Sequence, residues 1–279
     1  MKVRAPRGAG EALAFLYRDP FPNATLIGAI ERGIAGGDIE VRVADNGAVR
    51  GVLAVAPGPE GSRSVGLDAR DPEAAEALLR ALRFGERLQF GLHRPETVTA
   101  LERVCAATPA GVMLGYRCDG PWLRARDPSP ARELTRQDER MVRHARDEPF
   151  LLSFLQATRG RPARGGSEVH AFGVIEGGRL LSRCLTTWAA TGIERQIGTV
   201  WSVYTEPGSR GRGFGRAVVA AATAAILNSG RVARYFAFSD NTPSLRICRS
   251  LHYDEDHAVR YFWAQRRASR GRHGAKSKD

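Results

Sequence analysis

The same order of predicted elements occurs twice in this 279-residue chain, once on each side of a proline-rich segment. Each copy reads helix, helix, three antiparallel strands, helix, strand, helix and strand, from apolar spacing and turn residues. Residues 127–131, Asp-Pro-Ser-Pro-Ala, contain no apolar anchor and are typical of a linker. The repeat predicts two tandem domains, 1–126 and 132–265. Both are expected to be α/β (α+β), each with a mixed, mostly antiparallel sheet flanked by helices.

Composition and cysteine spacing exclude several protein classes. Hydrophobic residues make up 43% and charged residues 26% of the chain, as in an average globular protein. The sequence has no run of 18 apolar residues, and its first residues lack the apolar segment of a secretory signal. We therefore expect a cytoplasmic protein that is not inserted in a membrane. The four cysteines have neither Cys-x-x-Cys spacing nor a histidine at zinc-ligand spacing, so no metal is expected.

The net charge of +12 raises the question of a nucleic-acid partner. Residues 266–279 hold six Lys or Arg and one Asp, which accounts for +5 of that charge. This segment lacks apolar periodicity and is predicted to be a flexible basic tail. No aromatic residue lies among its charges, although stacking on single strands favours such residues. A nucleic-acid-associated role through the tail stays open as an alternative, and the oligomeric state is not indicated.

A glycine- and arginine-rich segment joins a predicted strand to a predicted helix in the second half. Gly211, Gly213 and Gly215 alternate with Arg212 and Phe214. Glycine allows successive N–H groups to converge on an anion, and the N-terminus of the following helix adds partial positive charge. The segment therefore predicts a pyrophosphate site. It contains neither the Gly-Lys-Ser/Thr of a Walker loop nor the Gly-x-Gly-x-x-Gly of a dinucleotide fold.

The spacing Arg-x-x-Gly-x-Gly, from Arg210 to Gly215, resembles the acetyl-CoA loop of the GNAT N-acetyltransferase superfamily. The preceding strand end (Val203, Thr205) and the Asn241 that follows the next strand resemble that family too, and the resemblance covers about residues 131–265. It implies an enzyme that transfers an acetyl group from acetyl-CoA to the primary amine of an unidentified acceptor by direct attack. The acetyl-CoA would be a cosubstrate, and no metal is implied.

The resemblance also implies the cofactor contacts. The backbone of Val203 and Thr205 would bind the pantetheine arm like an added strand, and the Val203 N–H would polarise the thioester carbonyl. Asn241 would bond the pantetheine or begin the last helix. The pyrophosphate would be held by the N–H groups of Arg210, Gly211, Arg212, Gly213, Phe214, Gly215 and Arg216.

The sequence departs from the family at the positions of the general base and acid. A glutamate base is often found four residues before the Val203 position, where this chain has Thr199. Glu194 or Glu168 would then act through water. Cys248 occupies the position of the family's acid tyrosine, and Tyr204 and Tyr253 are the other candidate proton donors. These departures leave open a second alternative, a CoA-binding regulatory module without catalysis.

The first half repeats the order of elements without the glycine-rich loop. Its equivalent turn carries Asp68, Asp71 and Glu73, which would repel a pyrophosphate. We therefore interpret 1–126 as a degenerate copy that does not bind the cofactor.

Overall fold

The computed structural model describes residues 1–36, 39–58, 62–83, 88–120, 129–143, 149, 151–152, 155, 167–189 and 192–266. The chain divides into two compact units, and neither is continuous in sequence. Unit 1 contains 1–15, 39–110 and the chain from 260 onward, whereas unit 2 contains 16–38 and 111–259. The boundaries 1–126 and 132–265 differ from this division, because residues 16–38 and 111–120 group with unit 2 and residues 260–265 group with unit 1. Residues 127–128 of the predicted linker, and the tail beyond 266, lie outside the described residues.

The helices and strands follow the predicted order closely. The helices are α1 (Ala9–Leu16), α2 (Pro20–Gly36), α3 (Pro72–Ala81), α4 (Pro95–Val104), α5 (Glu139–Val142), α6 (Phe214–Asn228) and α7 (Thr242–Ser250). The strands are β1 (Lys2–Arg4), β2 (Glu40–Asp45), β3 (Val49–Pro57), β4 (Arg63–Ala69), β5 (Leu88–Leu92), β6 (Cys105–Cys118), β7 (Ala131–Glu133), β8 (Ser167–Glu176), β9 (Arg179–Ala189), β10 (Ile197–Thr205), β11 (Val232–Phe238) and β12 (Asp254–Arg266). Short 3₁₀ helices lie at Arg136–Asp138, Ile193–Arg195 and Pro207–Ser209.

Unit 1 has the strand order β1-β2-β3-β4-β5, followed by the second part of β12. Only the β4–β5 pair in this order is parallel, and β12 pairs antiparallel with β5 from Arg260↔Leu92 to Ala264↔Leu88. α3 and α4 pack together, and the core contains Leu78 on α3, Leu101 on α4 and Phe90 on β5. The apolar residues of these elements are spaced to cover one face of each helix.

Unit 2 has the strand order β6-β11-β10-β9-β8-β7. The β10–β11 pair is parallel, and the others described are antiparallel. One face of this sheet is covered by α6 and α7, whose Val218 and Cys248 share a core with Tyr235 of β11. The second core lies around Leu151 and Leu185. α6 and α7 therefore cover one face of the sheet, and side chains such as Trp201 lie on the opposite face.

Two local differences from the predictions have simple causes. The Pro20-Phe21-Pro22 segment was predicted to separate two helices, but it forms the first turn of α2, where proline is tolerated because those N–H groups need no intrahelical acceptor. A hairpin was also predicted between 112–117 and 121–125. The second of these segments lies outside the described residues, and β6 pairs instead with β11, Tyr116 opposite Tyr235.

Within the described ranges, no helix is both long and apolar enough to span a bilayer. The same ranges contain no group of three or more His, Cys, Asp or Glu side chains placed to hold a metal ion.

Candidate functional site

The glycine-rich segment forms an open turn between β10 and α6. Gly211 and Gly213 have φ values of +78° and +80°, a left-handed region that side chains other than Asn and Asp rarely adopt. A Cβ atom on either residue would meet no heavy atom within 4 Å, so the space above the turn is unfilled. Gly213 is the N-cap of α6, and no side chain caps this helix.

The backbone N–H groups at this turn have no acceptor in the described part of the chain. The first backbone bond of α6 runs from the Ala217 N–H to the Gly213 carbonyl, at 3.0 Å. The N–H groups from Gly211 to Arg216 make no such bond. Uncapped N–H groups at a helix N-terminus form an anion site, because the donors and the helix dipole act together.

The three arginines of the loop are held differently. Arg212 donates to Glu176 at 2.8 Å and lies 4.4 Å above the Phe214 ring, so much of its charge is already balanced. Arg210 donates through Nε to the Thr205 carbonyl at 3.1 Å and is otherwise exposed. Arg216, in the first turn of α6, is also exposed. Arg210 and Arg216 are therefore the arginines best placed to pair with a phosphate.

β10 and β11 part just before this turn. Their parallel pairing runs from Ile197↔Val232 to Val200↔Tyr235 and ends there. On the other side of β10, the register with β9 shifts between Trp201 and Tyr204. Of the two residues between them, Ser202 has a φ of +54°. Val203 thus lies opposite no residue of β9 or β11 in the register. A strand backbone without a paired neighbour can bind an extended ligand through its N–H and C=O groups, as it would bind an added strand.

A buried arginine holds this irregular part of β10, and the sequence analysis missed it. Arg183 on β9 is 3% exposed and donates from Nη1 to the Ser202 carbonyl at 2.6 Å and to its hydroxyl at 2.9 Å. Its guanidinium also lies 5.7 Å from the Tyr204 ring centroid. The only sequence signal is one arginine inside the otherwise mostly apolar run of β9.

The equivalent turn of unit 1 is closed by its own carboxylates. The Asp71 side chain accepts from the Ala74 N–H at 2.8 Å and pairs with Arg50 at 2.7 Å, so α3 is capped where α6 is not. Burial raises the pKa of Asp71, but the Ala74 N–H and Arg50 together bring that pKa below its usual range. Asp68 is buried against Arg94. At the equivalent turn of unit 1, the protein's own Asp71 carboxylate thus occupies the position that an anion would take at the turn before α6.

Two of the four predicted catalytic residues lie in the core beneath α6 and α7. Cys248 has no exposed surface, and burial raises the pKa of its thiol to about 12. Tyr253 is 5% exposed, and its hydroxyl lies 2.7 Å from the Thr223 hydroxyl. Burial raises the pKa of Tyr253 well above its usual value. Both side chains belong to the apolar core beside α6, and the Tyr253 hydroxyl is already bonded to Thr223, which argues for packing roles.

The other predicted catalytic residues lie at the two ends of β10. Tyr204 is half-buried next to the parted strands, on the Arg183 side. Glu194 belongs to the 3₁₀ helix before β10, and its side chain lies outside the described residues. At the family's base position, the Thr199 hydroxyl accepts from Arg234 at 3.2 Å. Glu168 is exposed beside His170 at 3.5 Å. Among the described residues, therefore, no carboxylate that was predicted to act as the general base lies where β10 and β11 part.

Asn241 and Phe214 both have structural roles, and these roles are compatible with the predicted contacts to the cofactor. The Asn241 side-chain oxygen accepts from the Ser244 N–H at 3.2 Å, so it caps α7, as one of its two predicted roles required. The Phe214 ring is buried in the α6–α7 core, and its backbone N–H is among those at the turn without an acceptor in the described chain. From the sequence, Trp188 and Trp201 could line an acceptor site, although tryptophans on strands more often belong to the core. Trp188 stacks on His170, and Trp201 donates to Thr187 at 2.8 Å.

Residues 180–263 match the family model described as FR47-like protein, and this match spans β9 to β12. The fold matches solved structures over nearly the whole chain. A tandem GNAT protein from the clavulanic acid biosynthesis pathway has a TM-score of 0.61 at 12% identity, with 96% of this chain and 100% of that chain covered. The chain has the tandem GNAT fold.

Two further solved structures match the fold of this chain at similar sequence identity. A GNAT-family acetyltransferase from Colwellia psychrerythraea has a TM-score of 0.62 at 13% identity, covering 95% of this chain and 100% of that one. A GCN5-related N-acetyltransferase from Sphaerobacter thermophilus has a TM-score of 0.60 at 14% identity, covering 96% of each chain. No curated protein matches the sequence. The resemblance found in the loop is thus confirmed at the level of the fold.

Because Cys248 is buried in the core, we expect Cys248→Ala to leave catalysis nearly unchanged. Removing the sulfur leaves a small cavity, which should lower the free energy of unfolding by about 1 kcal/mol. Thermal denaturation and the initial rate of CoA release measure the two effects. A hundredfold fall in kcat with an unchanged KM for acetyl-CoA would instead restore Cys248 as the general acid.

Proposed function

We propose that this chain is an acetyl-CoA-dependent N-acetyltransferase that acts on a primary amine through unit 2 alone. The observation that carries the proposal is the uncapped N-terminus of α6, with N–H groups from Gly211 to Arg216 that have no acceptor in the described chain. The tandem GNAT fold and the capped counterpart in unit 1 support it.

The cofactor would bind in three parts. The N–H groups of the turn, with Arg210 and Arg216, would hold the pyrophosphate, because both donors and charges converge there. The pantetheine arm would lie along β10 beyond Val200, where the pairing with β11 ends. Asn241, whose oxygen is used in capping α7, would offer its NH₂ group to the arm.

The reaction would occur where β10 and β11 part. The Val203 N–H, which lies opposite no strand residue in the register, would donate to the thioester carbonyl as its oxygen gains negative charge. The neutral acceptor amine attacks the carbonyl carbon, the C–N bond forms and the C–S bond breaks. Arg183 would keep the irregular backbone of β10 in place, because it bonds the Ser202 carbonyl and hydroxyl. A proton reaches the departing thiolate from solvent or from Tyr204.

The direct test combines binding with turnover. Calorimetry of the full-length protein should show acetyl-CoA binding in the micromolar range, and free thiol should appear when a primary amine is added. The acceptor panel should contain a polyamine, an aminoglycoside, an amino-acid amide and a lysine peptide. Thiol release that depends on one of these amines supports the proposal. Binding without release for every amine would contradict it.

A regulatory CoA-binding module is the second candidate, and two observations favour it. Thr199 stands where family members often have a glutamate, and Cys248, which replaces the usual tyrosine, is buried. Such a module would bind acetyl-CoA and CoA with similar affinity and release no thiol. An acetyltransferase would in addition hydrolyse or transfer the acetyl group, so the same calorimetry and thiol assay separate the two.

A further inference from the structure

An aspartate and a histidine lie side by side on the part of β12 that belongs to unit 2. The His257 side chain is 8% exposed, and its Nδ1 lies 2.7 Å from the Asp256 carboxylate. Since the carboxylate accepts the Nδ1 proton, the lone pair of the neutral ring is on Nε2. Nε2 is buried and has no hydrogen-bond partner in the described chain. A buried acceptor without a donor is costly and calls for an explanation.

The histidine ring lies level with the point where β10 and β11 part. A Cβ atom on Gly115 of β6 would come within 2.8 Å of Nε2, so the ring covers this glycine. Gly115 pairs with Phe236, the first residue of β11 beyond its last pair with β10. The Phe236 ring meets the histidine ring edge to face, with centroids 5.7 Å apart. The imidazole thus lies beside β11 at the level proposed for the thioester.

The ring also lies on the face of the sheet opposite α6 and α7, where the Phe21 ring of α2 meets it edge to face with centroids 6.4 Å apart. Along β11, Tyr235 and Ala237 point into the α6–α7 core, so Arg234 and Phe236 point the other way. Arg234 pairs with Thr199, which occupies the family's base position on β10. The imidazole is therefore on the same face as that position.

We propose that His257 is the general base of the acetyl transfer and that Asp256 orients it. The proposal rests on the acetyltransferase function proposed above. His257 Nε2 takes a proton from the acceptor ammonium, which becomes a neutral amine, and the imidazole becomes an imidazolium. The amine attacks the thioester carbon and the C–S bond breaks. The new amide nitrogen then releases its extra proton to solvent, and the leaving thiolate takes a proton from solvent or from Tyr204. The products are the N-acetyl amide, CoA with a free thiol, and an imidazolium that releases its proton to solvent.

The charges around the ring suit this role. Asp256 lies beside Nδ1, Arg234 of β11 and Asp19 before α2 act on the ring by their charges, and Arg117 of β6 lies 3.8 Å from Asp256. Burial lowers the pKa of His257, Asp256 opposes this, and the pKa stays below its usual value. A lowered pKa favours the neutral form of the ring, which a base requires. The nearby arginines also favour loss of a proton by a bound ammonium.

The test is the pH profile of His257→Gln with the fastest amine of the panel. At pH 7 we expect kcat/KM for the amine to fall about 100-fold, within the range for general base catalysis, while the Kd of acetyl-CoA is unchanged. The remaining rate should rise about tenfold per pH unit up to the pKa of the acceptor ammonium, since only free amine then reacts. The wild-type rate should instead level off near neutral pH.

His252→Asn is the matched control. His252 is exposed after α7 with a φ of +54°, a conformation that asparagine tolerates, and it should keep the wild-type rate and profile. A His257→Gln protein that is folded by circular dichroism and has the wild-type rate or profile overturns the proposal. A wild-type protein that binds acetyl-CoA but acetylates no amine overturns the proposed function and this inference with it.

Asp256→Asn keeps the test decisive if His257→Gln fails to fold. Without the carboxylate, the pKa of His257 falls further, so the acid limb of the wild-type profile should move to lower pH. The rate at pH 7 should fall about tenfold, because a weaker base takes the proton less readily. An acid limb that stays at the wild-type pH in this variant overturns the proposal.

Discussion

Gly213→Asp should weaken acetyl-CoA binding about 100-fold, or about 2.8 kcal/mol. Gly213 is the N-cap of α6, and the space around it is unfilled. Asp tolerates the left-handed φ of +80°, so the protein should fold, yet its carboxylate would lie beside the pyrophosphate. Unit charges about 4 Å apart near a surface repel by roughly 4 kcal/mol, which exceeds the expected loss. Calorimetric titration of acetyl-CoA into each variant measures the effect.

Two control variants isolate the charge from the shape of the new side chain. Gly213→Asn has nearly the same size and the same tolerance of a left-handed φ, so it should bind at least tenfold more tightly than Gly213→Asp. Gly230 follows the other end of α6 with a φ of +78° and open space, and Gly230→Asp should bind like the wild type. Equal affinities for Gly213→Asp and Gly213→Asn would mean that no anion binds at this turn.

Phe90→Ala should destabilise unit 1 by about 3 to 5 kcal/mol and leave acetyl-CoA affinity unchanged. Phe90 on β5 is fully buried between α3, α4 and β12, so its loss leaves a large cavity. The cofactor groups proposed here all belong to unit 2. Urea denaturation measures the loss of stability, and calorimetry on the folded variant measures the affinity.

Phe90→Leu serves as the control, because it keeps more of the volume and should lose less stability. A clear fall in acetyl-CoA affinity for folded Phe90→Ala would show that unit 1 contributes to the cofactor site. The same question cannot be asked with a fragment that starts at 128. That fragment would lack β6 and α2, and β11 would lose the strand paired with its Ala233–Phe238 segment. An unpaired edge of this kind favours aggregation.

Local sequence patterns predicted most of the elements because they depend on neighbours in the chain. The glycine spacing of 211–215 predicted the open turn before α6, since left-handed φ values there need glycine. Proline in the first turn and Asp71 as a cap predicted the start of α3. A long strand was predicted over 196–205, where β10 (Ile197–Thr205) lies.

Residues far apart in sequence decided the rest, and the sequence alone could not place them. The position of Cys248 in the motif predicted a general acid. The structure buries it instead, through packing against α6 and β11 that its own helix does not determine. The assignment of 16–38 to unit 2 depends on contacts made by α2, including a bond from the Ile193 N–H to Glu31 at 3.0 Å. His257 becomes a candidate base only because β12 places it over Gly115 of β6, 142 positions earlier in the chain. Sequence spacing determined the anion turn and the order of elements, whereas long-range strand pairing determined which side chains surround the parted strands.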